Sequence, residues 1–479
     1  MYESLKWKSK ARDNLKLKER ITEKVNYYVS GGLSEDQLQK IHQSALTVIE
    51  EVGIEVPHQE VLRLVSNQPG VSIKGQRVYF EPDLVERCLK EIQESQSATK
   101  EEEFQLSTTG YASKILDLDT GEIREPHSQD LIEMTKLADV LGMRGCAPIF
   151  PKDLPEELAE ITTYKLCWQN SRDIGGAGIF SSVKVFEYIY EMAQAIGRPF
   201  GFGMHMISPL KCDPFLLEIA VHFLDRKINM RVGNMPMIGA TSPIFLTGSL
   251  VQSVAEVLAG ATLLKLISRG GKVSFGPFVH SFDMKYSNIV YGSPEYVLIN
   301  LAIRQIAQFY GTSSMAKTFN IMAKEPDAQA ALESAAGTAV LALAGARNFG
   351  WAGLLSVDEI FSGELLVIQN EIMEYVKRVV KGFEFSPLTI GIDIIKECAE
   401  DNSYFTHPTT LGGFRDLLWN SSLFEYNTLK QWQDKGSKTI RQKAREIAKE
   451  KIAQHRFRLD EDKQKELDKI YKRAEEEFR

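Results

Sequence analysis

Cysteine is scarce and scattered. The 479-residue chain holds Cys88, Cys146, Cys167, Cys212 and Cys398, with no C-x-x-C pair. A disulfide framework or a closed zinc site therefore has no basis, and a reducing cytoplasm is the expected compartment. An excess of positive charge is missing too. Lys and Arg number 57 against 64 Asp and Glu, a formal net charge of −7, so nucleic acid is not an expected partner. No G-x-G-x-x-G stands between a strand and a helix, which leaves a dinucleotide fold without its phosphate loop. The opening MYESLKWKSKARDNLKLKERITEK is charged throughout and lacks the apolar centre of a secretory signal. The longest apolar run, Pro243 to Ile267, carries Gln252, Glu256 and Lys265. A bilayer penalises these residues, so the run reads as a buried helix and no membrane is expected.

What is present is a repeating texture. Residues 34–52 place Leu38, Ile41, Ala45, Val48, Ile49 and Val52 on one helical face, with Ser34 and Gln37 as a capping box and Gly53 as a stop. VSIKGQRVYF and KILDLDTGEIREP read as hairpins. From about residue 128, helical patterns alternate with apolar runs: 142–150, 173–180, 200–207, 229–239, 271–280, 313–319 and 347–355. Their starts lie 27 to 42 residues apart, the spacing of βα units. The expected fold class is α/β, a (β/α)8 TIM barrel, with an eighth strand near 115–118 or 383–390. The expected division is an N-terminal α+β segment over 1–127, the barrel over 128–420 and charged C-terminal helices over 421–479. The last part carries a thin stripe of Ile440, Ala444, Ile447 and Ile452. It reads as a solvated helical tail packed on the barrel, with a partner or oligomer contact as the competing reading.

Ligands of such barrels sit at the C-terminal strand ends. Those ends offer Ile179, Phe180, His205, Asn234, Phe278, His280, Phe282, Phe319, Phe349 and Trp351. The stretch SFGPFVHSFDMKYSNIVYGSPEY, from Ser274 to Tyr296, is the densest in rings. The set is poor in acids, has no nucleophile beside a histidine, and lacks the converging His, Cys or acids of a metal site. Ring faces suit a quaternary ammonium ion, whose charge no proton loss can remove. The competing reading is ordinary core packing. Candidate substrate-binding residues are Phe278, His280, Phe282, His205, Phe349, Trp351, Asn234 and Arg347, with His280, His205 or Arg347 holding a carboxylate; no catalytic residue and no metal ligand is assigned. In GNMPMIGATSPIF, Ser242 reads as an N-cap and Pro243 as a first helical residue, a place for an anion or simply a capped turn.

Four stretches carry a resemblance. They are HQSALTVIEEVGIEVPHQEVLRLV, IGATSPIFLTGSLVQSVAEVLAG, EPDAQAALESAAGTAVLALAGARNFGWAGLLS and YFTHPTTLGGFRDLLWNSSLFEYNTLKQWQDKGSKTIRQKA. In this order they resemble the trimethylamine methyltransferase family over nearly the whole chain. The resemblance implies a (β/α)8 barrel that passes a methyl group from an amine to the Co(I) centre of a separate corrinoid protein. It implies no cofactor held by this chain; cobalamin comes with the partner. The archaeal founder uses pyrrolysine, whereas every residue here is standard. The chain therefore looks like the non-pyrrolysine branch, whose members demethylate quaternary amines. Glycine betaine is the first expectation, with proline betaine, carnitine or γ-butyrobetaine as alternatives. A non-catalytic betaine-binding protein and a zinc-dependent barrel enzyme are the rivals. Homo-oligomerisation suits a barrel of this size, though no residue marks it.

Overall fold

A computed structural model describes residues 23–95, 103–108, 112–176, 178, 180–401 and 403–478. The charged opening stretch up to residue 22 lies outside them, as does Ile179.

Eight segments stand in barrel order. Gln105–Thr108 pairs in parallel with Arg144–Gly145, and Gly145 bridges to Ile174. Gly201–Ile207 pairs with Asn229–Asn234, which pairs with Val273–Gly276. Ala316 bridges to Phe349 of Asn348–Gly350, and that strand closes on Gln105–Thr108. Side chains join the two remaining seams among the described residues. Arg198 donates to the carbonyls of Ser171 and Arg172, and Lys317 lies over the ring of Phe278. The fold is a (β/α)8 barrel.

The eighth strand is Gln105–Thr108, not a segment near 115–118 or 383–390. Its four residues, QLST, are too short and too polar to show a strand pattern. Lys114–Leu116 instead pairs with Ile123–Arg124 and Ile360–Ser362 in a flanking sheet. Phe383–Phe385 pairs with Glu23–Val25. The expected hairpin Val71–Lys74 and Arg77–Phe80 is present. It is welded to the barrel through Ile54–Glu55 and Lys211–Cys212, which pairs with Gly201–Ile207. The helix Glu35–Glu51 starts at the Ser34–Gln37 capping box.

The helix Leu246–Ile267 is apolar on all sides and is buried on nearly all of them, as such a helix must be. It is long and apolar enough to cross a membrane, but 78% of its apolar window is buried inside the fold. Gly260 lets it approach the sheet: a Cβ there would stand 2.9 Å from Val232 and 3.0 Å from Met206. Its N-cap is Phe245, not Ser242, so the helix starts about one turn later than expected. The Met237 carbonyl accepts from the amides of Ala240, Thr241 and Ser242, and this turn delays the helix.

The C-terminal helices pack on the barrel. Ala444 and Ala448 of Ile440–Gln454 are buried, whereas Ile440 is exposed. Glu364, without solvent contact, accepts from Arg441 Nε at 3.0 Å and from Arg445 Nη2 at 2.6 Å. Cutting one side of such a buried pair leaves the other charges unpaired. Glu364→Ala is expected to lower stability by about 2–4 kcal/mol, read by urea unfolding. An unchanged midpoint would mean that apolar contacts alone hold the C-terminal helix.

Candidate functional site

Burial alternates along the barrel strands. Phe202, Met204 and Met206 are buried against helices, and Gly201, Gly203 and His205 turn inward. Met230, Val232 and Asn234 point outward, and Arg231 and Gly233 inward. Val273 and Phe275 point outward, and Ser274 and Gly276 inward. Barrels of this class usually fill their axis with branched side chains. This one alternates glycine with basic residues. The register sets Arg231 between Gly203 and Ser274, and His205 beside Gly233. The guanidinium leans over Gly276, where a Cβ would stand 2.3 Å from Nη2. His205 and Arg231 are solvent-exposed by area, yet the solvent is that of a narrow lumen. Confinement therefore lowers the pKa of both, and Lys317 adds to the effect on His205.

Above this layer, at the strand ends, the rings gather. Phe278 and His280 stand 4.8 Å apart, His280 and Tyr291 5.8 Å, Tyr291 and Tyr296 5.1 Å, and Tyr291 and Trp351 6.5 Å. Lys317 reaches into them. Its Nζ lies 3.8 Å from the Phe278 ring centre and 5.1 Å from that of Trp351. Burial, reinforced by Arg231, pushes the Lys317 pKa down to about 7. Burial and the Lys317 charge hold His280 well below its usual value, so its imidazole is neutral. Among the described residues neither His280 nitrogen has a hydrogen-bond partner, and the Tyr296 hydroxyl meets none at hydrogen-bond geometry, although Asn300 is its polar neighbour. The buried Asn320 amide meets none at hydrogen-bond geometry, although the Tyr291 hydroxyl is its polar neighbour. Unpaired buried polar groups are rare in folded proteins, and a cluster of them points to a ligand site. Trp351 has φ +74°, a conformation that costs about 1–3 kcal/mol and gathers at functional sites.

The chain was compared with known proteins. The model of the family described as Trimethylamine methyltransferase (MTTB) matches residues 6–478. The chain belongs to this family. Its relatives include trimethylamine methyltransferase MttB of Desulfitobacterium hafniense, 26% identical over 89% of this chain and 90% of that one. The Methanosarcina barkeri MttB is 33% identical over 57% and 55%. Glycine betaine methyltransferase of D. hafniense is 27% identical over 84% and 88%. A solved structure, monomethylamine methyltransferase (MtmB) of M. barkeri, aligns with a TM-score of 0.49 at 12% identity over 88% of each chain.

Within this member of the family, the structure brings Phe278, His280 and Trp351 together, with His205 one layer deeper. Phe282 is half-buried on the short hairpin Phe282–Asp283 and Asn288–Ile289. Phe349 has no exposure and packs on Phe104 and Phe319 behind the barrel wall. Asn234 points outward, where its amide donates to Glu256 at 2.8 Å and its carbonyl accepts from the Phe278 amide at 3.0 Å. Arg347 precedes its strand and so stands at the opposite end of the barrel, capping the carbonyls of Ala342 and Ala346. Sequence reasoning passed over Lys317 and Arg231, and left Tyr291 and Tyr296, among the rings after Ser274, and Asn320, at a strand end, outside the candidate set. A signal existed for the first two: each is the one charged residue in its apolar run, 313–319 and 229–239.

Lys317 has a testable sign. Between about pH 7 and its ordinary 10.5 the unfolded chain binds the proton that the fold refuses. Stability therefore falls as pH drops through that window, and the penalty is complete below 7. Lys317→Met is expected to be more stable than the parent at pH 6 by about 2–4 kcal/mol, discounted for water in the lumen. The gain should shrink by pH 10. Denaturant titrations at both pH values read it, and a gain equal at both would sink the assignment.

Proposed function

We propose that this chain takes a methyl group from a quaternary amine, glycine betaine first, and gives it to the Co(I) centre of a partner corrinoid protein. The observation that carries the reading is the ammonium seat on Phe278 and Trp351, filled here by Lys317 at 3.8 and 5.1 Å. Each ring face attracts a cation by about 0.5–2 kcal/mol. Family membership supports the reaction class, and the relative named glycine betaine methyltransferase supports the substrate class.

The chemistry needs little from the protein wall. In a quaternary amine the C–N bond breaks with its electron pair left on nitrogen, so a neutral tertiary amine departs. The two electrons of Co(I) make the new bond to carbon, and no proton moves. General acid–base residues are therefore unnecessary. The chain contributes positioning, exclusion of water and the ring electrostatics. Cobalamin is brought by the partner, and this chain binds no cofactor of its own.

The acceptor has to arrive at the barrel mouth. Exposed apolar side chains rim it: Ile207, Met235, Ile244, Phe245, Met284 and Tyr286, with Phe245 77% and Tyr286 70% exposed. Gly239 brings Ile244 and Met284 together, since a Cβ there would stand 2.9 and 3.9 Å from them. Exposed apolar groups of this kind mark contact surfaces, and this one is assigned to the partner.

The direct test mixes the protein with cob(I)alamin and, in turn, glycine betaine, proline betaine, carnitine, γ-butyrobetaine, choline and trimethylamine. Loss of the cob(I)alamin absorbance with one betaine is expected. Tight betaine binding with no methylation of either free or protein-bound cobalamin would replace the enzyme with a binding protein. Phe278→Ala and Trp351→Ala are expected to weaken betaine binding by about 1–3 kcal/mol each in calorimetry; unchanged affinity in the folded variants removes that ring from the seat. Phe245→Glu with Met284→Glu should raise KM for the corrinoid partner about tenfold while betaine affinity stays as it was. An unmoved KM would shift docking to another face.

A further inference from the structure

We propose that Arg231 and Lys317 are the carboxylate anchor of the site, and that Lys317 exchanges places with the ammonium group of the substrate. This deepens the reading above and rests on a quaternary amine being the ligand.

Two cations, Arg231 and Lys317, stand inside the barrel. Among the described residues neither Arg231 nor Lys317 has an ion-pair partner. The hydrogen bond that Arg231 makes is a long one, 3.4 Å from Nη2 to the Ser313 carbonyl. Enclosed charges are normally paired, because an unpaired one carries its full desolvation penalty. A carboxylate between the two would satisfy both, and Arg binds carboxylates through two parallel donors.

The ring seat gives the second half of the argument. Lys317 already occupies the faces of Phe278 and Trp351. A quaternary ammonium ion cannot share that seat, since like charges about 4 Å apart repel by about 4 kcal/mol at a protein-like dielectric. Lys317 has to move or lose its charge when the ligand enters. It has a flexible four-carbon stem, and its depressed proton affinity makes the neutral form accessible. Gly203, Gly233 and Gly276 add no side chain to the inner wall beneath it, where the His205 ring and the Arg231 guanidinium lie. The displaced amine can then meet the carboxylate of the ligand that displaced it. Lys317 acts as a placeholder for the substrate cation and becomes a partner for the substrate anion.

The layering fixes an orientation. Arg231 lies mid-strand and Phe278 and Trp351 lie past the strand ends. A ligand with its carboxylate on Arg231 and its ammonium on the rings turns its methyl groups toward the mouth, where the acceptor arrives. The site thereby selects carboxylated quaternary amines over those without an anion.

The experiment compares glycine betaine with tetramethylammonium, which has the cation and no carboxylate, by calorimetry on the full chain, Lys317→Met and Arg231→Gln. The parent is expected to prefer betaine at least tenfold. Lys317→Met should lose at least tenfold for betaine and bind tetramethylammonium more tightly than the parent, because the competing cation is gone. Arg231→Gln should lose betaine affinity and leave tetramethylammonium affinity unchanged. Should Arg231→Gln fail to fold, Lys317→Met decides alone, since it removes a charge from a confined place. Equal losses for both ligands, no preference in the parent, or no binding of either ligand by the parent would overturn the anchor. Methyl transfer to cob(I)alamin separates the two claims. Transfer from betaine without carboxylate-dependent binding would defeat the anchor and keep the enzyme; carboxylate-dependent binding without transfer would do the reverse.

Discussion

Glu256 is the carboxylate on which the geometry of the barrel mouth depends. It has no solvent contact, and it accepts from Ser208 Oγ at 2.8 Å, the Leu210 amide at 3.0 Å, Asn234 Nδ2 at 2.8 Å and Gln252 Nε2 at 2.9 Å. These donors come from the turn after Gly201–Ile207, the end of Asn229–Asn234 and the long central helix. Asn234 passes the constraint on, because its carbonyl accepts the Phe278 amide and the Ser253 hydroxyl. Ser253 shares its one hydroxyl hydrogen between that carbonyl and the Phe278 backbone carbonyl, the latter at 2.8 Å. The Phe278 ring is thus fixed by a polar network on the dry side of the wall, where each bond is strong and each missing partner is expensive. The helix that supplies Glu256 is buried all round because it is the back wall of this network.

The inner wall reverses the usual economy of the fold. A packed axis would contribute apolar burial. Here glycine at 203, 233 and 276 gives that up for a chamber that holds Arg231, His205 and Lys317. The strain at Trp351 and the His280 nitrogens, which have no hydrogen-bond partner among the described residues, belong to the same trade. Such violations are tolerated where the surrounding structure over-determines them. Two apolar clusters packed behind the barrel strands provide that excess.

Much of the architecture was legible in the residues. The capping box at Ser34, the hairpins, the spacing of βα units and the buried reading of the long apolar helix all rest on local periodicity, and local periodicity survives folding. The strand Gln105–Thr108 was not legible, because four residues show no period and only pairing with Asn348–Gly350 and Arg144–Gly145 defines them. The helix start after Ser242 was misplaced because a turn around the Met237 carbonyl competes with the cap. At the site, Phe278, His280 and Trp351 could be read as strand-end rings. Phe349 and Asn234 have the right address on the chain but the wrong parity, since alternate residues of a strand face opposite sides.

The sequence by itself determined the class of fold and the chemistry available: rings, amides and lone cations in apolar runs, with no acid pair and no cysteine cluster. These are properties of composition and spacing, and no neighbour is needed to state them. Only the tertiary structure decided which ring faces the axis, that Arg347 stands at the far end, and that Lys317 lies on Phe278. Those facts depend on the register between strands tens of residues apart in sequence. A shift of one residue in that register would turn each inward side chain outward.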